Sequence, residues 1–324
     1  GTNMNPATDL ATLTEGYRLC CAAEGKSPMT IRWYCGKLSV FRQYLEASGL
    51  PTEIGAVEVG HIRKFLVHLS SAKADQNNPK KRPREEALSS LTIQGYVRTF
   101  KAFYSWLMRE GYVTKNPMKL IRVPKAAKII IETFSDEQIR SLLASIDTKD
   151  TLGFRDYCIL LVLLDTGMRL SELAGLRLPD VHLEQGEFKV CGKGQKERIV
   201  PMGGNVQRVL WKYLHSYRPE PALPMVDHLF LDRRGEPMKP DCVYRMIKRS
   251  GRRAGLRGVR CSPHTFRHTF AKNYLLNGGD VFSLQKILGH SSLEVVKLYV
   301  NLAAADVHSQ HRKFSPVDMM RLRA

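Results

Sequence analysis

Apolar residues recur at helical spacing through the first third of the chain. The runs 9–23, 28–47, 61–72 and 91–110 each predict a helix. In the last of these, Tyr96, Phe100, Phe103, Tyr104 and Leu107 share one face, and Gly111 stops it. Residues 73–86 are polar, basic and proline-containing, and read as a loop. Asn116-Pro117 ends this helical region, and 122–128 lacks periodicity, as an extended basic linker would. Ser135 then caps a new helix, with Gln138 completing a capping box.

The rest of the chain is mixed. Residues 154–164 are nearly all apolar and predict a buried helix, with a second helical stretch, 168–176, after Thr166-Gly167. Glu187–Cys191 and Arg198–Pro201 read as two short strands around the turn 192–196. Helices are expected over 205–216, 241–254, 263–277, 281–288 and 293–302, before a basic tail, 310–324.

Composition narrows the class. The 324 residues, 43% hydrophobic, suffice for one large or two ordinary domains with a real core, which excludes wholesale disorder. No apolar run is long enough for a membrane span, and the polar N-terminus carries no secretory signal. Gly1–Asn3, ahead of Met4, read as residues left by cloning. Seven scattered cysteines without a CxxC pair fit reduced cytosolic thiols and argue against a disulfide scaffold or a cysteine zinc site. Lysine and arginine number 50 against 31 acidic residues, a formal charge of +19. Such an excess points to a polyanionic partner, most often nucleic acid, with mere solubility as the bland alternative. The longest basic cluster, Lys80-Lys81-Arg82-Pro83-Arg84, holds only a small part of it.

Five segments could carry chemistry. Arg169 follows the glycine turn after the buried helix and needs an anionic partner, either a phosphate or Glu172 three residues on. Lys193 and Lys196 sit at a hairpin tip that lacks the P-loop pattern. Ser262-Pro263 caps a helix that carries His264 and Arg267 on one face of its first turns, a plausible phosphate site or an ordinary capped helix. His264 and His268 are four apart, but no HExxH or cysteine cluster supports a metal. His290 occupies a tight corner after Gly289, and Tyr299 lies on the next helix, where packing is the commoner role.

Together these segments form one pattern. TGMRLSEL, GKGQKER, HTFRH, LGH and LYVN, in that order, resemble the motif boxes of the tyrosine recombinase (phage integrase) family, closest to its Xer-like two-domain kind. The resemblance implies a mainly α fold with a small β-sheet or hairpin. It implies a helical, SAM-like core-binding domain over 4–122, a basic linker over 123–131, and a catalytic domain with a C-terminal tail over 132–324. It implies Tyr299 as nucleophile, and Arg169, Arg267 and His290 as holders of the scissile phosphate. Lys193 would be the general acid, with Lys196 on the same turn as the alternative. His264 would assist as acid or base near the nucleophile, and Glu172 would support Arg169. Duplex DNA would be cut and rejoined through a 3′-phosphotyrosine, in integration, excision, transposition or dimer resolution, with no cofactor, metal or ATP. Candidate DNA contacts are Lys80, Lys81, Arg82, Arg84, Lys125 and Lys196. The implied partners are double-stranded DNA with an inverted-repeat site and three further copies, in a homotetramer joined by exchange of the C-terminal tail. No membrane is implied, no accessory protein is indicated, and the expected location is the cytoplasm, at the nucleoid. The absence of a further domain ahead of the first helices leans away from lambda-like integrases. The competing readings are a type IB topoisomerase-like enzyme and a DNA-binding regulator without catalysis.

Overall fold

The computed structural model describes residues 8–71, 88–124, 131–192, 194, 196–289, 297, 299 and 307–320. The chain divides into two compact units, Gly1–Ile129 and Ile130–Ala324.

The first unit is helical: α1 (Leu10–Ala23), α2 (Pro28–Ala47), α3 (Val59–Ser71) and α4 (Ser90–Arg109). Three of the four begin at a side-chain cap. Asp9, Ser27 and Ser89 accept from the backbone N–H groups of Thr12, Thr30 and Thr92, satisfying donors that a helix start leaves open. The apolar face read from the sequence of α4 is the core face, and Phe100 meets Phe41 and Phe65 at ring-centroid distances of 4.8 and 5.8 Å. The expected loop 73–86 and most of the expected linker lie outside the described residues.

The second unit opens with α5 (Asp136–Ala144), whose capping box is formed: Gln138 N–H donates to Ser135 Oγ, and Ser135 N–H donates back to Gln138 Oε1. α6 (Thr151–Thr166) is the buried centre that its all-apolar sequence predicts, and α10 (Pro263–Leu276) packs along it. Between them come α7 (Leu170–Ala174), α8 (Gly204–Lys212), which runs into a wider turn at Tyr213–Tyr217, and α9 (Pro240–Arg253). α11 (Val281–Leu288) follows, and Val307–Phe314 and Pro316–Met319 are helical within the tail.

The expected hairpin is part of a three-stranded antiparallel sheet. β2 (Glu187–Cys191) lies between β1 (Val181–His182) and β3 (Glu197–Pro201). β1 is too short to display an alternation. α7 is shorter than 168–176 because Arg169 is extended and serves as its N-cap. Of the expected helix 293–302, Lys297 and Tyr299 are described, and both are helical.

Candidate active site

Two helix ends converge on one arginine. α6 and α11 both finish at a left-handed glycine, Gly167 (φ 59°) and Gly289 (φ 69°), and such endings leave carbonyls without partners inside the helix. Arg267 of α10 takes two of them. Its Nη1 donates to Gly167 O at 2.6 Å and its Nη2 to Leu288 O at 2.7 Å. The negative ends of two helices thus compensate a guanidinium that is only 7% exposed. Burial, followed by the charge of Arg169, pulls its pKa down to about 10. That is still far above neutrality, so the cation persists.

The same end of α11 holds a second arginine. Arg198 Nε, on β3, donates to Ile287 O at 2.8 Å, and its Nη1 and Nη2 fork onto Glu172 at 2.7 and 2.9 Å. Glu172 also accepts from the backbone N–H of Arg169 at 2.8 Å and from Arg169 Nη1 at 3.1 Å. One buried carboxylate therefore receives four donors. Burial works to raise its pKa, but the hydrogen bonds from Arg198 and the Arg169 backbone prevail and hold it below the usual carboxylate value. This network orients Arg169, whose side chain remains 42% exposed.

Arg169 faces a cavity of about 700 Å³ that Arg267, His264, His268 and Tyr299 also line. The start of α10 supplies three of these, fixed by the N-cap at Ser262, which accepts from Thr265 N–H, and by Pro263 in the first position. Tyr299 is 2% exposed, and its hydroxyl lies 2.7 Å from His268 Nδ1. Burial pushes the phenol pKa up, and Arg267 offsets part of that. Burial, then His264 and Arg267, push the imidazole of His268 down, so at neutral pH it is uncharged and able to accept from a protonated phenol. His264 is exposed and stacks on the His268 ring, with centroids 6.3 Å apart.

Of the residues expected from sequence, Arg169, His264, Arg267 and Tyr299 meet around the cavity, and Glu172 lies behind Arg169. Lys196 does not line it. That residue is exposed on the β2–β3 turn, where its carbonyl accepts from Gly192 N–H at 2.9 Å. Lys193, His290, Lys80, Lys81, Arg82, Arg84 and Lys125 lie outside the described residues. Two residues of the site had no expected role. Arg198 shares the inward face of β3 with Val200 and pairs across from Val190, and a charge on a core-facing position demands a buried partner. His268, which the sequence offers only as one of a histidine pair at metal-binding spacing, is the residue bonded to the phenol. Among the described residues, no group of three or more His, Cys, Asp or Glu could hold a metal, and no helix is long and apolar enough to cross a membrane.

Comparison with known proteins gives the family and the fold. Residues 132–306 match the phage integrase family, and 21–111 match the phage integrase N-terminal SAM-like domain. Tyrosine recombinase XerD of Listeria innocua serovar 6a is 30% identical over 295 residues, 90% of this chain and 94% of the relative. XerD of Staphylococcus aureus (strain N315) is 31% identical over 309 residues, 95% of this chain and 99% of the relative. In fold, the chain is similar to the XerH site-specific recombinase bound to a palindromic difH substrate in a post-cleavage complex (TM-score 0.68, 21% identity, 93% of this chain and 84% of that one). It is also similar to the Tn1549 transposon integrase in complex with a circular intermediate DNA (TM-score 0.69, 20% identity, 97% and 99%). The motif boxes, the helical first unit and these matches agree, and the chain belongs to the phage integrase family of tyrosine recombinases.

Proposed function

We propose that Tyr299 attacks a phosphodiester of duplex DNA seated in this cavity, forming a 3′-phosphotyrosine and releasing a 5′-hydroxyl. Site-specific breaking and rejoining of DNA through a tyrosine is the activity of the family. What is proposed is which residues perform it here. The observation that carries the reading is a buried phenol, hydrogen-bonded to an imidazole, in a cavity that it shares with Arg169 and Arg267.

A phosphodiester is anionic and repels nucleophiles, and attack concentrates more charge on its equatorial oxygens. Arg169, Arg267 and His290 hold those oxygens. Donors preorganised for charge that develops only in the transition state are each worth about 10²–10³ in rate. Arg267 is preorganised by its two carbonyl partners and Arg169 by Glu172, which Arg198 holds in turn. Lys193 protonates the leaving 5′-oxygen, with Lys196 of the same turn as the alternative, and His264 assists near the nucleophile. One phosphodiester is exchanged for another, so rejoining to a new strand needs no ATP.

The finer reading is a homotetramer on two inverted-repeat sites, joined by the C-terminal tail. Exposed Phe314, Val317, Met319 and Met320 support it, since apolar side chains on a short helical tail suit docking on a second copy. The division into a core-binding domain at 4–122, a linker at 123–131 and a catalytic domain at 132–324 belongs to the same reading. So do a location at the nucleoid and a role in integration, excision, transposition or dimer resolution. The test is covalent capture on a nicked duplex whose sequence is selected from a random pool by the purified protein. The wild type should become attached to the DNA and Tyr299→Phe should not. Failure of the wild type to attach to any selected duplex overturns the reading.

A further inference from the structure

We propose that His268 Nδ1 is the base that removes the proton from Tyr299 as the phenol attacks. The inference rests on Tyr299 being the nucleophile. The family resemblance gives His264 the part beside the nucleophile, but it is His268 whose ring nitrogen lies 2.7 Å from the hydroxyl. His264 instead stacks beside the ring of His268, with centroids 6.3 Å apart. A base must lie within hydrogen-bond reach of its proton, and a distance of about 2.6–3.2 Å meets that requirement.

The fold fixes the His268 side of this contact. α10 is tied to its surroundings on both sides of His268: the neighbouring Thr269 hydroxyl accepts from Phe134 N–H at 2.9 Å, and Arg267 bridges the ends of α6 and α11. His268 itself is half-buried, and nothing polar but the phenol is hydrogen-bonded to its Nδ1 among the described residues. The charged and titratable groups that line the cavity with it are His264 and Arg267 on its own helix, Tyr299, Arg169, Glu132, Arg260 and Tyr244 of α9. Burial, followed by His264 and Arg267, disfavours the charged ring, so the imidazole is ready to accept and the imidazolium that forms readily returns its proton.

The step balances. The Tyr299 Oη–P bond forms and the P–O5′ bond breaks. The phenolic proton passes to His268 Nδ1, and the leaving oxygen takes a separate proton from the general acid. On rejoining, the 5′-hydroxyl attacks phosphorus, the phenolate leaves, and the imidazolium returns the proton to Oη. No oxidant or cofactor is consumed.

The experiment uses the full chain and a selected, nicked duplex in which sulfur replaces the scissile 5′-bridging oxygen. A thiolate leaves without a proton, so the general acid drops out and the pH profile reports on activation of the nucleophile. Covalent attachment by the wild type should slow as pH falls from 8 to 5, because a protonated His268 cannot accept. His268→Asn offers an amide oxygen near the position of Nδ1 but takes no proton. It should bind the duplex, attach about 10²-fold more slowly, and lose the acid limb. A His268→Asn protein within about threefold of the wild type, or one that keeps the limb, overturns the proposal. A wild type with no limb overturns it without any variant. Attachment by Tyr299→Phe would instead sink the assignment of the nucleophile, so the two failures are distinct.

Discussion

Glu172 shows how much one carboxylate does in this molecule. It accepts from both Arg198 nitrogens, the Arg169 backbone and the Arg169 side chain. Removing it would strand a mostly buried guanidinium, and such losses cost on the order of 3–5 kcal/mol. Glu172→Ala should therefore lower the unfolding free energy of the second unit by several kcal/mol in urea titration. The pH dependence follows in sign. The folded carboxylate is held below its unfolded value, so its stabilisation is complete above that unfolded value, near ~4.3, and is lost as pH falls through the lower folded one. The difference in stability between wild type and Glu172→Gln should shrink as pH falls below about 4, measured by urea unfolding at each pH. A difference that holds constant to pH 2 would contradict this. Arg169, Arg267 and Tyr299 were legible because the chemistry demands their residue types in fixed order. Arg198 and His268 were not, because their roles depend on a strand's facing and on which of two histidines in one helix turn meets the phenol.

At the scale of elements, the site is made by helix endings. α6 must stop at Gly167 so that its carbonyl can reach Arg267. The positive φ there penalises any side chain, and a Cβ would also run into the Phe270 ring. Gly25 has a similar φ of 73° but open space around it. Gly25→Ala should therefore cost about 1–2 kcal/mol, the left-handed penalty alone, and Gly167→Ala clearly more, both read by urea unfolding. Equal costs would contradict the close packing of α6 against α10. The helices themselves were legible wherever a cap and an apolar stripe coincide, as at Ser27, Ser89, Ser135 and Ser262. β1 escaped notice because two residues carry no period. α7 is shorter than its lettering suggests because Met168-Arg169, non-helical with Arg169 extended, has the same apolar–polar lettering as a helix start.

For the whole molecule, the charge of +19 becomes specific. A few of its cations face one cavity, and the proposed function gives the excess a partner in the phosphates of DNA. Binding of the selected duplex should weaken steeply with salt, by orders of magnitude between about 50 and 200 mM, as counterions compete for the phosphates. Once the DNA is bound, the chemical step should respond far less, because Arg267 and Glu172 are paired inside the protein. A salt-independent affinity, measured by fluorescence anisotropy, would contradict the view that the excess charge serves DNA. The central claim is that Tyr299 joins itself to a DNA 3′-phosphate in the cavity formed by Arg169, Arg267 and His268. Its most direct measurement is mass spectrometry of the peptide cross-linked to a nicked, selected duplex. The account predicts a nucleotide adduct on Tyr299 that vanishes in Tyr299→Phe, and an adduct on any other residue, or none at all with the wild type, would contradict it.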